Sequence, residues 1–215
     1  TSGFTEGMYY FPRIDREILS KYSEGLICTT ACLRGEVNDH LLKGDYQSAQ
    51  ETVSFYKNLF PGRFYIELQN HGLEEDKRLI PEAVKIAREF ELPLIATNDV
   101  HYLMEGDHQV QEVLICVQTG KTLSDPDRMK IKSNEFYLKS AEDMGVLFED
   151  YPEALENTLL IADECCFDFN FHDTHYPSLD LPHGETLKNK ISSLSAEGLE
   201  KRFQELDLEE SQIEV

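Results

Sequence analysis

Leu92-Pro-Leu-Ile-Ala-Thr-Asn-Asp-Val-His-Tyr102 decides how the rest of the chain is read. Pro93 ends the helical pattern before it, because its ring clashes with a continuing turn and it donates no backbone bond. Leu94, Ile95 and Ala96 then form a short apolar run, as in a strand buried on both faces of a parallel sheet. At its carboxyl end the run turns polar, with Thr97, Asn98, Asp99 and His101. Alternation along a strand predicts that Asp99 and His101, two apart, point to the same side. A carboxylate and an imidazole together suit a divalent metal. The carboxyl ends of strands are also where α/β folds build their sites. The spacing equally fits a strand that ends in a turn, with Asp99 capping the next helix and His101 hydrogen-bonded nearby.

Working outward, Leu26–Thr30 and Phe64–Leu68 read as two more short strands, each preceded by a turn glycine, Gly25 or Gly62. Helical spacing recurs between them. Pro12 suits the first turn of a helix carrying Ile14, Ile18 and Leu19. A second helix runs from Gly35 to about Leu42, and a third follows the cap Asp45. A long one spans about Glu75 to Phe90, with Pro81 expected to kink or restart it. After the quoted stretch, residues 107–117 read as a helix with Val110, Val113, Leu114 and Val117 inward. This alternation predicts an α/β fold of mostly parallel strands with right-handed crossovers. The pattern then changes. Residues 130–133 and 136–138 suggest a small hairpin. Ser140 with Asp143 opens a helix, and Pro152 opens another carrying Leu155, Leu159, Ile161, Ala162 and Cys165. Residues 167–181 read as an extended connector, before a last helix from about Glu185 to Leu206 with Leu187, Ile191, Leu194, Leu199 and Phe203 as its stripe.

Forty-one acidic against twenty basic residues in 215 give a net charge of −21. Such a surface repels a phosphate backbone and is not built to grip nucleic acid alone. There is no apolar run of membrane-spanning length and no leader-like segment, so a cytoplasmic protein without a membrane partner is expected. Five scattered cysteines argue for reduced thiols rather than a disulfide framework. The start at Thr1 suggests a piece of something longer.

The sequence holds no glycine-rich phosphate loop, nucleophile elbow or C-x-x-C pair. Cys165-Cys166 reads as core packing. His172, Asp173 and His175 lie in the connector, where extended backbone turns the two imidazoles apart. Glu67, on the second strand, and His71, in the turn beyond it, are candidates for a site rim. Cys32 follows the first strand by two residues, at the same sheet end as Asp99 and His101. Thiolate, carboxylate and imidazole from two strand ends would make a partial zinc site.

Glu24–Val37, Phe64–Gly72 and Ala96–Tyr102 resemble the family of bacterial replicative DNA polymerase III alpha subunits. So do Cys116–Lys121, Glu135–Lys139 and Pro152–Thr158, all in the family's order and spacing. The region matched is the amino-terminal polymerase-and-histidinol-phosphatase (PHP) domain. The resemblance implies a partial, distorted (βα)-barrel of PHP type, plus the small hairpin and carboxyl-terminal helices. It implies that residues 1–178 are the later part of that domain, without its amino-terminal strands, and that 179–215 are a connector and first helix toward the polymerase palm. It places metal ligands on Cys32, Asp99 and His101, with zinc, manganese or magnesium as the ion and no catalytic residue beyond the ligands. Asn98 or Glu67 would orient the His101 ring. The family's early His-x-His pair has no counterpart here, so this stretch alone would bind metal weakly or not at all and be inactive. The parent would synthesise DNA, with a metal-dependent 3′–5′ exonuclease in this domain, and would meet DNA and other replicase subunits through its remaining parts. A non-catalytic scaffold and a free-standing PHP-type phosphoesterase are the alternatives. Exposed strand edges of an incomplete barrel would favour self-association.

Overall fold

The computed structural model describes residues 1–174, 176 and 178–206. His175, Pro177 and the acidic tail from Asp207 lie outside the described residues. In chain order the elements are α1 (Ser2–Thr5), β1 (Met8–Tyr9), β2 (Phe11–Pro12), α2 (Arg16–Lys21), β3 (Cys28–Thr29), α3 (Glu36–Leu42) and α4 (Tyr46–Leu59). There follow β4 (Phe64–Gln69), α5 (Glu74–Glu89), β5 (Leu94–Thr97), a single 3-10 turn, α6 (His108–Thr119), α7 (Ala141–Leu147), α8 (Pro152–Glu164) and α9 (Leu187–Leu206). They fall into two compact units, Thr1–Cys166 and a second that begins at Phe167 and carries α9. No described helix is long and apolar enough to cross a membrane.

The first unit is α/β, as its strand-helix alternation predicts. Three parallel strands stand in the order β3-β4-β5, with Cys28 opposite Phe64 and Ile66 opposite Leu94. Phe64 to Leu68 are all buried, as befits a central strand with both faces covered. Helix α5 packs on β4, α3 packs on α4 and α5, and α8 packs on β5. Asp45 caps α4 by accepting from the Ser48 amide, and Ser140 and Asp143 close a capping box on α7. The α5 helix runs unbroken through Pro81, which stands in its second turn.

Four expectations fail. Pro12 does not open a helix: it pairs with Met8 across a tight hairpin turned by left-handed Tyr10. Asp15 instead caps α2, accepting from the Ile18 amide. The expected hairpin at 130–138 is absent; Phe136 and Tyr137 run beside the Asp99–Leu103 loop, with one parallel bridge between Tyr102 and Tyr137. Buried Phe136 and the Ser133 hydroxyl, which donates to the His71 carbonyl, hold the segment there rather than against itself. In α6 the inward residues are Ile115 and Cys116, whereas Val110, Val113, Leu114 and Val117 are exposed. Arg128 lies over the opposite face, paired with Glu112 at 3.1 Å. In α8 only Ala154 is buried, and Leu159 and Cys165 are exposed.

Candidate metal centre

Glu67 is the residue on which the strand ends meet. Only 8% of it is exposed, so its carboxylate must find donors inside the protein. It finds four: Thr29 Oγ1 at 2.5 Å, the Ala31 amide at 3.1 Å, Gln69 Nε2 at 2.9 Å and Thr97 Oγ1. Thr29 belongs to β3 and Thr97 to β5, so one carboxylate on the central strand stitches both neighbours to it. The Glu67 amide adds a bond to Thr30 Oγ1 at 2.8 Å. Glu67 thus lies beneath the site rather than on its rim. Neither it nor the Asn98 side chain orients the His101 ring, as the sequence led us to expect. Its oxygens are taken by the strand ends, and Asn98 Nδ2 donates to the Tyr137 carbonyl.

The loop after β3 presents Cys32. Ala31 turns it with a left-handed φ of 59°, and Asn38, itself buried, donates to the carbonyls of both Ala31 and Cys32 at 3.0 Å. The Gly35 amide donates to the Cys32 carbonyl at 2.8 Å. A Cβ at Gly35 would stand 1.9 Å from the Thr30 carbonyl oxygen, so only glycine lets the chain pass here. Cys32 is held half-buried at the end of the sheet.

Asp99 and His101 come from the other side. The β5 strand ends at Thr97, so both lie beyond it and strand alternation does not orient them. Asp99 adopts a left-handed φ of 45°, which reverses the chain and brings its Oδ2 to 3.6 Å from His101 Nε2. His71 is 3% exposed; its ring stacks on Phe136 at 3.9 Å between centroids, and its Nε2 lies 3.0 Å from the Asn98 carbonyl oxygen. Because a carbonyl only accepts, that nitrogen is the protonated one. The buried Asp76 carboxylate, which capping α5 places five residues after His71, accepts from the amides of His71 and Leu73.

Cys32, Arg34, Gln69, His71, Asp99 and Phe136 line one cavity of about 160 Å³. Two of the three expected ligands therefore line one cavity, while His101 is not among its lining residues and its Nε2 lies 3.6 Å from Asp99 Oδ2. Among the described residues no three His, Cys, Asp or Glu side chains come close enough together to hold a metal ion. Gln69 Oε1 is buried without a hydrogen-bond partner, as an oxygen facing a cation or its water would be. A thiol, a carboxylate and an unpartnered amide oxygen suit a divalent ion in kind; the number converging falls short of a full shell. The sequence reading missed Arg34 and Phe136, although Arg34 stands only two residues after Cys32. Phe136 carries no sequence signal of its own, since it arrives by a contact across the chain.

A family model described as the PHP domain matches residues 1–71. The DNA polymerase III subunit alpha of Borreliella burgdorferi is 42% identical over 205 residues, covering 94% of this chain and 18% of that protein. That of Helicobacter pylori strain 26695 is 43% identical over 181 residues, covering 79% and 15%. The Thermus aquaticus subunit is 35% identical over 206 residues, covering 93% and 17%. The chain thus spans less than a fifth of the length of the curated relatives it matches.

Proposed function

The chain belongs to the family of DNA polymerase III alpha subunits, and from that premise we propose that its strand-end cavity is part of a metal-dependent phosphoesterase, a 3′–5′ exonuclease, within a subunit that synthesises DNA. In this reading residues 1–178 are the later part of a PHP barrel, and 179–215 lead toward the polymerase palm. Contact with DNA and other replicase subunits, in the cytoplasm, falls to the rest of the subunit. The observation that carries the reading is that Cys32 and Asp99, from the ends of two different strands, line the same cavity.

Cys32 and Asp99 would hold a zinc, manganese or magnesium ion, and His101 would join them by exchanging its contact with Asp99. Such an ion supplies an ionised water near neutral pH and offsets charge on the phosphodiester oxygens. The protein's own groups do the positioning. Glu67 fixes the spacing between the loop that bears Cys32 and the end of β5. His71 holds the Asn98 carbonyl and so the peptide entering Asp99. Two converging donors bind an ion weakly, so this stretch by itself is inactive and activity belongs to the full-length subunit.

A second reading, in which the domain is a non-catalytic scaffold, draws on a specific observation: Glu67 is saturated by strand-end donors, and no three ligands converge among the described residues. One experiment separates the two. In the full-length subunit, Asp99→Asn should abolish metal-dependent exonuclease, at least ~100-fold, while nucleotide incorporation stays within about twofold. Chelator-sensitive exonuclease that survives the substitution would remove the metal role from this site. No nuclease in the wild type, together with a melting temperature lowered by chelator, would establish the scaffold.

A further inference from the structure

We propose that Arg34 is the anion-binding residue of this cavity, taking a phosphoryl oxygen of the substrate; the inference rests on the phosphoesterase reading and names the group that the site would grip. Arg34 lines the cavity beside Cys32, Gln69, His71 and Asp99. It makes no ion pair and no hydrogen bond among the described residues. Arg16 pairs with Glu36, Arg128 with Glu112, and Arg63 and Arg78 donate to backbone carbonyls; Arg13, Arg88 and Arg202 also lack such partners among the described residues, but none of them lines this cavity. In a chain of net charge −21, a guanidinium with free donors beside a cavity is placed for an anion that the protein does not itself supply. Its planar fork matches two oxygens of one phosphoryl group.

A cavity of about 160 Å³ has room for a phosphate group. Asp99 in the same cavity repels an anion, so a divalent ion that offsets its charge should strengthen capture by Arg34.

The Arg34 side chain is exposed and anchors no packing, so its replacement should leave the fold intact. The test uses the full-length subunit with manganese as the metal. Metal binding is followed by titration calorimetry, and so is anion binding, with inorganic phosphate and, separately, with a five-nucleotide single strand. Arg34→Gln should weaken phosphate binding ~10- to 100-fold with the metal isotherm unchanged, and Arg34→Lys should fall between. In exonuclease assays the loss should fall mainly on KM if the contact exists equally in the ground state. Equal loss with both ligands assigns the site to the phosphoryl group. Loss confined to the single strand would overturn a cavity-sized phosphate site. Phosphate binding by the wild type that survives Arg34→Gln, or none at saturating manganese, overturns the proposal even where metal binds. An absent metal isotherm together with Arg34-dependent phosphate binding would instead overturn the metal reading and leave Arg34 in place.

Discussion

The layer from Cys28 to Thr97 and the stretch from Asn98 to Leu138 treat their apolar side chains in opposite ways. In the first, Val53, Ile66 and Ile86 are fully buried and Leu68 nearly so, and helix and strand stripes meet. In the second, Val100, Leu103, Met104, Val110, Leu114 and Val117 are exposed. Its order comes from polar anchors instead: His101 and Tyr102 amides on the Phe136 carbonyl, Asn98 on the Tyr137 carbonyl, and Ser133 on the His71 carbonyl. Burial fixes the first region through area removed from water, whereas in the second Ile115, Cys116 and Phe136 are the buried apolar side chains and a few directional bonds hold the rest. The candidate site lies on the seam, with Cys32 from the packed side and Asp99 and His101 from the anchored side. A bound ion would couple the two.

The largest expected effects lie in the packed layer. Glu67→Ala would leave two hydroxyls, an amide N–H and a side-chain amide without their acceptor, and should cost about 3–5 kcal/mol in urea unfolding. Ile66→Ala, fully buried, should cost about 2–5 kcal/mol. If Glu67→Ala costs less than about 1 kcal/mol, the strand ends are held by packing alone and the polar hub is incidental. Next comes Gly35→Ala, whose added methyl would meet the Thr30 carbonyl. A loss of roughly 1–3 kcal/mol is expected from the forced backbone shift. No loss would mean that the loop bearing Cys32 can relax, which would loosen the placement of the thiol.

What was legible in the sequence follows the same division. Strands at 28–29, 64–69 and 94–97 and the long helices were readable because their apolar period and caps act locally. Pro12 misled because Pro suits both a helix start and an edge strand, and only the left-handed Tyr10 and the Asp15 cap decide between them. The α6 stripe misled for another reason: periodicity tells which face is apolar, not whether anything packs on it. That Cys32 and Asp99 share one end of the sheet was legible from spacing and family likeness, and both line one cavity there; the metal role given to them is our proposal. The contacts of Glu67 and the arrival of Phe136 were not, since each depends on partners distant in the sequence, and Arg34 beside Cys32 carries no motif of its own.

A smaller effect tests burial near the sheet through chemistry rather than stability. Burial pushes the Cys28 thiol up to about 11 from an ordinary 9.0. Its folded-state value lies above its unfolded one, so the neutral thiol is what the fold favours. That contribution is present in full below about pH 9 and is lost as pH rises through about 11. At pH 8, iodoacetamide should label the exposed Cys165 and Cys166 at least ~10-fold faster than Cys28, as followed by mass spectrometry. Comparable rates would show that β3 opens readily and belongs with the anchored region.

The smallest expected change is at Val117, and it bears most directly on the contrast between the regions. Val117 is 74% exposed on α6, on the face away from Ile115 and Cys116. Replacing it with Gln removes apolar surface that is already in water, and the two residues differ little in helix propensity. The shift in unfolding free energy of this 215-residue chain should therefore stay within about 0.5 kcal/mol. Val84→Ala, which truncates a side chain 4% exposed in α5, is the control and should cost about 1–3 kcal/mol. A loss above about 1 kcal/mol at Val117 would mean that the α6 face is covered in solution. The two regions would then be alike, and the exposed stripe would have to be counted as core.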